Sequence, residues 1–327
     1  MRDTDHRTWR AAGVLAAVAA LLAGCGGGSG DGTPRAAHAA PSGAATSSAT
    51  PSATPSAGDA QDAGARRSFA ELERRFHAHL GLYALDTGSG RSVAYQADRR
   101  FAHCSTIKVL AAGTLLKRAG GAELDRVVTY PSSALVPYSP ITSKHAGQGK
   151  GKGMTLRAIM AAALRYSDNT AENLMLDRLG GPAGLQEAVR AMGDAVTHVD
   201  RPEPALNDAV PGDIRDTSTA RALGTDLRSL LLGSALPTGR RALLTDLMVR
   251  NTTGGPYVRA GAPSGWKVAD KTGSGDYGTR NDIAVLWPPH GAPVVISVLT
   301  DRGTPDAESA DPLIANATTA AFTALGR

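Results

Sequence analysis

The sequence predicts an α+β fold in which an antiparallel sheet, flanked by N- and C-terminal helices, carries an inserted all-helical subdomain. Three observations lead to this prediction. Extended runs occur near both ends of the folded region, helical segments open and close that region, and the middle contains only segments with apolar residues three and four positions apart. The strands are therefore expected to meet in one sheet beside a helical part, with a cleft between the two.

Each element follows from a local pattern. Leu72, Phe76 and Leu80 recur at helical spacing and predict an opening helix over 68–80. Two extended runs flank the turn-forming residues 86–90 and predict a hairpin of strands at 81–85 and 91–95. Further helices are predicted at 105–118, 155–166, 170–179, 184–192, 217–232, 239–250 and 307–325, and further strands at 266–272, 280–287 and 293–299.

The first 67 residues have the composition of an export signal followed by a linker. Arg2, Arg7 and Arg10 precede an uncharged apolar run over 11–24, which is shorter than the roughly 20 residues that span a bilayer. Residues 25–67 are rich in Gly, Ser, Ala, Thr and Pro and show no apolar periodicity, as is typical of a flexible tether. We therefore expect a signal peptide at 1–24, a linker at 25–67 and one folded domain at 68–327.

Composition argues against several classes of function. The 35 Lys and Arg residues are scattered and nearly balanced by 30 Asp and Glu, for a net charge of +5, so we expect no nucleic-acid partner. His77 and His79 lie on different helix faces and no metal-ligand spacing occurs, so we expect neither a metal nor a cofactor. The segment 147–153 resembles a phosphate loop, but Gly153 follows Lys152 where Ser or Thr is needed, which favours a mobile surface loop.

Two short motifs lie where catalytic side chains could meet. Ser105 begins a predicted helix, and Lys108 lies one turn further on the same face, where its amine can reach the hydroxyl. Ser167-Asp168-Asn169 lies between two predicted helices and can direct a hydroxyl and an amide into a cleft. Each motif has a structural alternative. The first could be an N-cap Ser with a solvated Lys, and the second could be an N-cap cluster for the helix that follows.

A third motif lies on a predicted strand near the C-terminus. Lys271 and Thr272 precede Gly273, where an exposed glycine would let a ligand backbone approach closely; an edge-strand turn is the alternative. Ser264 and Lys267 repeat the spacing of the first motif, but they lead into a strand, where the two side chains would not meet. The order of the three motifs, at a helix start, an interhelical loop and a late strand, favours function over the structural alternatives.

With these motifs in this order, the sequence resembles the class A serine β-lactamases over essentially all of 68–327. The similarity includes Phe101, Tyr138-Ser139-Pro140, the stretch 276–280, and the segments 201–207 and 211–217, which resemble the family's Ω-loop. The resemblance implies the β-lactamase/transpeptidase-like fold. It also implies a hydrolase that opens the β-lactam ring of penicillin- and cephalosporin-type antibiotics and so confers resistance.

The resemblance further implies roles for individual residues. Ser105 is the nucleophile, and the backbone N–H groups of Ser105 and Ser274 form the oxyanion site. The acylation base is Lys108 or else Glu203 through a water, two alternatives that remain open. Ser167 passes a proton to the departing nitrogen, and Glu203 with Asn207 activates the hydrolytic water. The substrate-binding residues are Tyr138, Asn169, Lys271, Thr272, Gly273, Ser274 and Arg280.

The Ω-loop segment distinguishes between related activities. The resemblance implies that Arg201 and Asp216 pair across the base of the loop and that the Glu203-Pro204 bond is cis. A D-alanyl-D-alanine peptidase, or a β-lactam-binding lipoprotein that stays acylated, would share the three motifs. Glu203 with Asn207 argues against both alternatives.

The sequence predicts a different chemical state for each of the two cysteines. The segment 22–25, Leu-Ala-Gly-Cys, resembles the lipobox of bacterial lipoproteins, in which the signal is cut before the Cys and that Cys is lipidated. This implies an enzyme anchored by Cys25 to the membrane outside the cytoplasm, with simple secretion as the alternative. Separately, we expect a monomer. Cys104 adjoins the nucleophile, and since Gly275 stands where some family members carry a partner Cys, we expect a free, buried thiol.

Overall fold

A five-stranded antiparallel sheet forms the centre of the fold in the computed structural model, which describes residues 57–327. Its strands are β1 (His79–Asp86), β2 (Ser92–Tyr95), β7 (Lys267–Ser274), β8 (Arg280–Trp287) and β9 (Val294–Asp301). They lie in the order β2-β1-β9-β8-β7, so the first hairpin joins the late strands through β1 and β9, where Leu82 is opposite Val298. The predicted pairing of distant strands in one sheet is confirmed.

Each face of the sheet belongs to its own hydrophobic core. Successive side chains of a strand point to opposite faces. In β8, Ile283 and Val285 therefore lie in one core, and Ala284 and Leu286 lie in the other. The second core also contains Phe69, because helices α1 (Ala57–Phe76) and α9 (Asp311–Leu325) pack together over that face.

The other face of the sheet joins the helical part of the chain. Helix α6 packs on β1, β8 and β9, and the remaining helices continue the same core away from the sheet. The helices of this part are α2 (Lys108–Arg118), α3 (Leu156–Tyr166), α4 (Asn169–Leu179), α5 (Gly181–Ala191), α6 (Ala220–Leu231) and α7 (Thr238–Val249). The short α8 (Val258–Gly261) instead packs against α9 and belongs to the second core. Two small ribbons pair β3 (Arg100–Ala102) with β6 (Thr217–Thr219) and β4 (Val127–Val128) with β5 (Met154–Thr155). The inserted helical subdomain is thus confirmed.

Several predicted helix boundaries are wrong. Helix α1 ends at Phe76, so that Leu80 lies in β1; α5 begins at Gly181 rather than at 184, and α9 begins at Asp311 rather than at 307. Helix α1 begins at Ala57 rather than at Ser68, so the end of the predicted linker is helical. Alanine favours the helix, and Ala65 is buried in the core beneath α9. The helix predicted from Thr217 begins at Ala220, because 217–219 pairs with β3 and the Thr219 side chain then caps α6 by accepting from the Ala222 N–H.

Several predictions concern the segment before Ala57. The signal at 1–24, Cys25 and most of the linker lie outside the described residues. Among residues 57–327, no helix is both long and apolar enough to cross a membrane.

Candidate active site

A cleft of about 520 Å³ lies where the helical part meets the edge strand β7. Eight of the predicted site residues line it: Ser105, Tyr138, Ser167, Asn169, Asn207, Thr272, Ser274 and Arg280. They come from the turn before α2, the loops around α3 and α4, the Ω-loop (residues 201–216) and the sheet. The fold therefore brings the three motifs to one place.

Ser105 and Lys108 form the centre of the site. Ser105 lies in a 3₁₀ turn, Cys104–Ile107, that leads directly into α2, so Lys108 follows one turn later on the same side. The Lys108 Nζ donates to Ser105 Oγ at 2.7 Å and is completely buried. The same ammonium contacts Asn169 Oδ1 at 2.7 Å and the Ser167 carbonyl oxygen at 3.0 Å. The predicted side-chain contact is confirmed.

Glu203 shares the same ammonium. Its Oε1 lies 2.7 Å from Lys108 Nζ and 3.3 Å from Ser105 Oγ, which donates to it. The lysine charge compensates for removing this carboxylate from water. Nucleophile, lysine and carboxylate therefore form one connected, buried cluster.

The polypeptide around Glu203 is held from both sides. The Asn173 amide side chain donates to the Glu203 carbonyl oxygen and accepts from the Glu203 N–H, both at 2.9 Å. Asn207 Nδ2 donates to Glu203 Oε2, while Asn207 Oδ1 accepts from no donor among the described residues. The Glu203-Pro204 bond is cis, as predicted.

The base of the Ω-loop is closed by the predicted ion pair. Arg201 Nε donates to Asp216 Oδ2 at 2.6 Å, and its Nη1 donates to Asp208 at the same distance. Asp216 Oδ1 also accepts from the backbone N–H groups of Asp200 and Arg201, at 2.8 and 3.0 Å. The pair therefore joins the two ends of the loop by charge and by backbone contacts.

Both interpretations of the Ser167-Asp168-Asn169 motif are correct, for different residues. Asp168 is the N-cap of α4 and accepts from the Ala171 N–H at 2.9 Å, and it also binds the backbone of Ile141 and Thr142. Ser167, whose φ is 57°, lies at the end of α3 and presents its hydroxyl to the cleft. The cap therefore holds the loop that positions the two site residues.

Lys271 contacts the hydroxyl of Ser167. Its Nζ donates to Ser167 Oγ at 2.9 Å and to the Thr272 carbonyl oxygen at 2.7 Å, and the side chain is fully buried. Burial, and then the charge of Lys108, lower the pKa of Lys271 to about 7. A proton at Lys271 is therefore easily lost near neutral pH.

The strand motif also shapes the mouth of the cleft. Arg280, across from Ser274 in the sheet, donates to Ser274 Oγ and to Asp311 Oδ1, the latter at 2.9 Å. The Thr272 and Thr253 hydroxyls are 2.6 Å apart. Three hydroxyls and one guanidinium thus line the cleft, a suitable arrangement for a carboxylate.

The expectation of an exposed glycine at position 273 is wrong. Gly273 is buried, and a Cβ there would lie 3.0 Å from the His103 carbonyl oxygen and 3.1 Å from Thr106 Cγ2. The absent side chain lets β7 pack closely against the turn that carries the nucleophile. Gly273 therefore acts through packing.

The remaining sequence candidates do not line the cleft. Lys267 stacks on Trp287, with Nζ 4.6 Å from the ring centroid, and so does not form a second Ser–Lys site. Cys104 is free and buried, as predicted, and burial raises the pKa of its thiol. Among residues 57–327, no cluster of three His, Cys, Asp or Glu side chains could hold a metal ion.

Sequence patterns did not identify three residues that support or line the site. Asn173 lies four positions after Asn169 on α4, a helical spacing that could have identified it. Thr253 and Tyr257 also line the cleft, but no local pattern marks them.

The geometry first defines a class of protein. The penicillin-interactive serine enzymes have this arrangement: a serine hydroxyl and a buried lysine lie at a helix start, a second hydroxyl is bound to a second buried lysine, and a carboxylate lies on a loop.

Comparisons with known proteins narrow this class. The model of the Beta-lactamase enzyme family matches residues 64–325. The β-lactamase of Amycolatopsis lactamdurans is 56% identical over 265 residues, which cover 81% of this chain and 86% of that one. The β-lactamase of Bacillus amyloliquefaciens is 53% identical over 251 residues, covering 77% and 81%. The crystal structure of a class A β-lactamase from Clostridium kluyveri DSM 555 superposes with a TM-score of 0.79 at 44% identity. The match covers 81% of this chain and 100% of that one.

The chain belongs to the β-lactamase enzyme family and is a class A serine β-lactamase. It is a hydrolase that opens β-lactam rings, and the comparisons favour neither the peptidase nor the non-hydrolytic binding protein.

Proposed function

We propose that hydrolysis of penicillin- and cephalosporin-type β-lactams proceeds through an acyl-enzyme on Ser105. One observation carries the proposal: the Lys108 ammonium contacts both Ser105 Oγ and Glu203 Oε1, each at 2.7 Å. The nucleophile is thus connected by single hydrogen bonds to the groups that could take its proton.

Acylation forms the bond between Ser105 Oγ and the lactam carbonyl carbon. The hydroxyl proton goes through a water to Glu203, or to Lys108 after the ammonium has given one of its own protons to the Glu203 carboxylate 2.7 Å away, and the geometry suits both routes. The backbone N–H groups of Ser105 and Ser274 then stabilise the oxyanion.

Opening of the ring requires a proton on the departing nitrogen. Ser167 Oγ supplies it, and the Lys271 ammonium at 2.9 Å stabilises the hydroxyl as it loses the proton. Lys108 adds a second positive charge nearby through its contact with the Ser167 carbonyl oxygen.

Substrate is held at both ends of the cleft. Lys271, Thr272 and Arg280 bind its carboxylate through charge and hydrogen bonds, while Asn169 and Ser274 bind its amide side chain. The Tyr138 side chain, which is 62% exposed, forms a wall of the cleft.

Deacylation depends on Glu203 and Asn207. The Glu203 carboxylate takes a proton from water, and the unpartnered Asn207 Oδ1 offers the acceptor that orients that water. The deprotonated water then attacks the ester carbon, the bond to Ser105 Oγ breaks, and Ser105 Oγ takes back the proton held by Glu203.

The variant Glu203→Ala tests this assignment. Acylation should remain measurable, while turnover should fall by roughly 100-fold or more, because the base for deacylation is lost. Mass spectrometry after mixing with a penicillin should show a persistent adduct. The matched control is Glu187→Ala, on the exposed side of α5, which should turn over like the wild type. An unmodified Glu203→Ala protein with full turnover contradicts the role of Glu203.

We also propose that the enzyme is anchored outside the cytoplasm through a lipid on Cys25. The lipobox-like segment 22–25 and the tether-like composition of the residues after it support this. Membrane and soluble fractions of cells that produce the full chain should place the activity with the membrane, and Cys25→Ala should release it. Equal distribution of both proteins would contradict the anchor.

We infer that the enzyme acts as a monomer. Every residue assigned to the reaction comes from one chain, so no partner is needed to complete the site. Gel filtration of the purified protein tests this inference, and elution at twice the monomer mass would contradict it.

A further inference from the structure

A second cavity, of about 460 Å³, lies beside the second half of the Ω-loop and is nearly as large as the active-site cleft. Its walls are formed mainly by residues 99–102 and 209–217, and the start of β1, the β7–β8 turn and the end of β9 complete them. No residue lines both this cavity and the cleft, and none of its lining residues takes part in the mechanism above. Its volume lies within the range of small-molecule sites, roughly 300–1,000 Å³.

The second cavity exposes apolar side chains. Among the described residues four large hydrophobic side chains are exposed, and two of them, Val210 and Ile214, line this cavity. Val210 is 45% exposed and Ile214 is 58% exposed. Phe101 and Tyr277 add aromatic rings to the walls. Apolar groups that are gathered in a concave surface favour binding of a molecule with an apolar body.

Two arginines give the second cavity positive charge. The Arg99 guanidinium lies 5.2 Å from the centroid of the Phe101 ring and donates to the Gln96 amide oxygen at 3.4 Å. Arg100 donates to one carbonyl oxygen and one hydroxyl oxygen, which are both neutral. Neither arginine forms an ion pair with another residue of 57–327. Both guanidiniums therefore lack a negative partner within the described part of the chain.

The other charged side chains of the second cavity compensate each other. Arg215 pairs with Asp213 at 2.7 Å, and His79 contacts Asp301 at 2.6 Å. The uncompensated charge is therefore that of the two arginines. Guanidinium groups bind carboxylates through charge-assisted hydrogen bonds. The lining thus suits a small molecule that combines an aromatic body with one carboxylate.

Two chain segments line both the second cavity and the active-site cleft. In the Ω-loop, Asn207 lines the cleft and Ala209 lines the second cavity. In the turn between β7 and β8, Gly275 and Asp276 line the cleft, and Tyr277 lines the second cavity. The two sites therefore share these segments as a common wall.

The two segments of the common wall are in direct contact. The Asp276 N–H donates to the Asn207 carbonyl oxygen at 3.0 Å. A Cβ at Gly275 would lie 2.7 Å from that oxygen and 3.5 Å from Ala209 Cβ, so little free space separates the segments. Because close-packed groups transmit displacement, a movement of Ala209 also moves Asn207, whose side chain contacts Glu203.

We propose that the second cavity is a binding site for a small aromatic carboxylate and that its occupation slows deacylation. The carboxylate binds Arg99 and Arg100, and the aromatic body contacts Val210 and Ile214. These contacts draw the Ω-loop wall toward the ligand and Asn207 with it. A displacement of about 1 Å at a catalytic group can lower a rate by roughly 100-fold. The effect on deacylation rests on the proposed function, whereas binding to the cavity does not.

The binding experiment uses 2-naphthoate as the probe and the uncharged 2-naphthamide as its matched control. Calorimetric titration of the full chain should show binding of 2-naphthoate and at least about fivefold weaker binding of the amide, because the amide cannot pair with the guanidiniums.

Four variants assign the probe to one of the two sites. Arg99→Gln removes the charge and Ile214→Ala removes apolar contact, so each should weaken 2-naphthoate binding by at least about fivefold. Arg178→Gln removes an exposed arginine of α4 and should bind like the wild type. Arg280→Gln alters the cleft, which also suits a carboxylate, and should retain binding to the second cavity.

Steady-state kinetics with a penicillin test the coupling between the two sites. Saturating 2-naphthoate should lower kcat by roughly tenfold and KM in proportion, since deacylation then limits turnover while acylation, and therefore kcat/KM, is unchanged. A probe bound in the cleft would instead raise KM and leave kcat unchanged. Arg99→Gln should need at least about five times more 2-naphthoate for the same effect, whereas Arg178→Gln should respond like the wild type.

Four results would overturn the proposal: no binding of 2-naphthoate to the wild type, equal binding by Arg99→Gln and Ile214→Ala, loss of all binding in Arg280→Gln, or an unchanged kcat at saturation. Failure of the proposed function is recognised separately. The wild type would then hydrolyse no penicillin without the probe, while 2-naphthoate would still bind and would still depend on Arg99.

Discussion

At the scale of single residues, a buried carboxyl group can be paired with a cation, or it can keep its proton and remain neutral. Lys108 and Glu203 are a paired example, whereas Asp226 of α6 is an acid that keeps its proton. The Oδ2 atoms of Asp226 and Asp194 have no hydrogen-bond donor among residues 57–327, and we infer that one proton on Asp226 serves both carboxyl groups. Burial, and then the charge of Asp194, raise the pKa of Asp226 to about 9.

This shared proton makes stability depend on pH. The unfolded state loses the Asp226 proton near its ordinary pKa of 3.8, whereas the folded state keeps it up to about 9. The folded state therefore binds more protons across this window, and the free energy of unfolding falls as the pH rises through it.

Asp226→Asn should remove that dependence. The amide would donate to Asp194 at every pH, so the variant should exceed the wild type in unfolding free energy by at least about 1 kcal/mol at about pH 8, and by less at about pH 5. Urea denaturation at both pH values measures this. The exposed Asp177→Asn is the matched control, and an equal difference at both pH values would contradict the shared proton.

At the scale of elements, side-chain contacts rather than regular secondary structure hold the Ω-loop. Its residues contain one short 3₁₀ turn, Ala205–Asn207, and its ends are tied by Arg201 and Asp216. The buried Asp216 carboxylate accepts hydrogen bonds from the Arg201 guanidinium and from two backbone N–H groups, which together stabilise its charge.

Asp216→Asn should therefore loosen the loop more than it weakens the fold. We expect a loss of about 2 kcal/mol in unfolding free energy, as for a hydrogen bond to a charged group. Hydrogen exchange should quicken at the Asp200 and Arg201 amides, and deacylation should slow more than acylation because Glu203 lies on this loop. Asp213→Asn breaks a surface pair with Arg215 in the same loop and should leave both properties near wild type. Unchanged exchange in Asp216→Asn would contradict the tie.

Local patterns predicted most elements because their causes are local. The spacing of apolar side chains identified α3, α4 and α7 to within one residue or two, since each buries one face. The strand β6 was missed because three residues carry too little pattern, and because Arg100 and Thr219 meet only when the chain folds back. The early start of α1 was missed for a similar reason, since the core that buries Ala65 includes α9 from the far end of the chain.

At the scale of the whole molecule, the sheet joins the two ends of the chain and so assembles the cleft. The pairing of β1 with β9 places the C-terminal strands beside the N-terminal hairpin, and β7 at the edge then faces the turn that carries Ser105. Lys108, Lys271 and Arg280 concentrate positive charge where an anionic substrate is proposed to bind.

The sequence by itself determined which chemical groups are present and how close neighbours along the chain are arranged. Ser105 and Lys108 must meet on a helix start, and Glu203 and Asn207 can meet within one loop, because their spacing is local. Only the tertiary structure decided that Lys108 contacts Glu203, that Lys271 contacts Ser167, that Gly273 is a packing residue and that Glu172 is buried without a partner. These properties depend on exclusion of water and on side chains from distant segments, which no local pattern records.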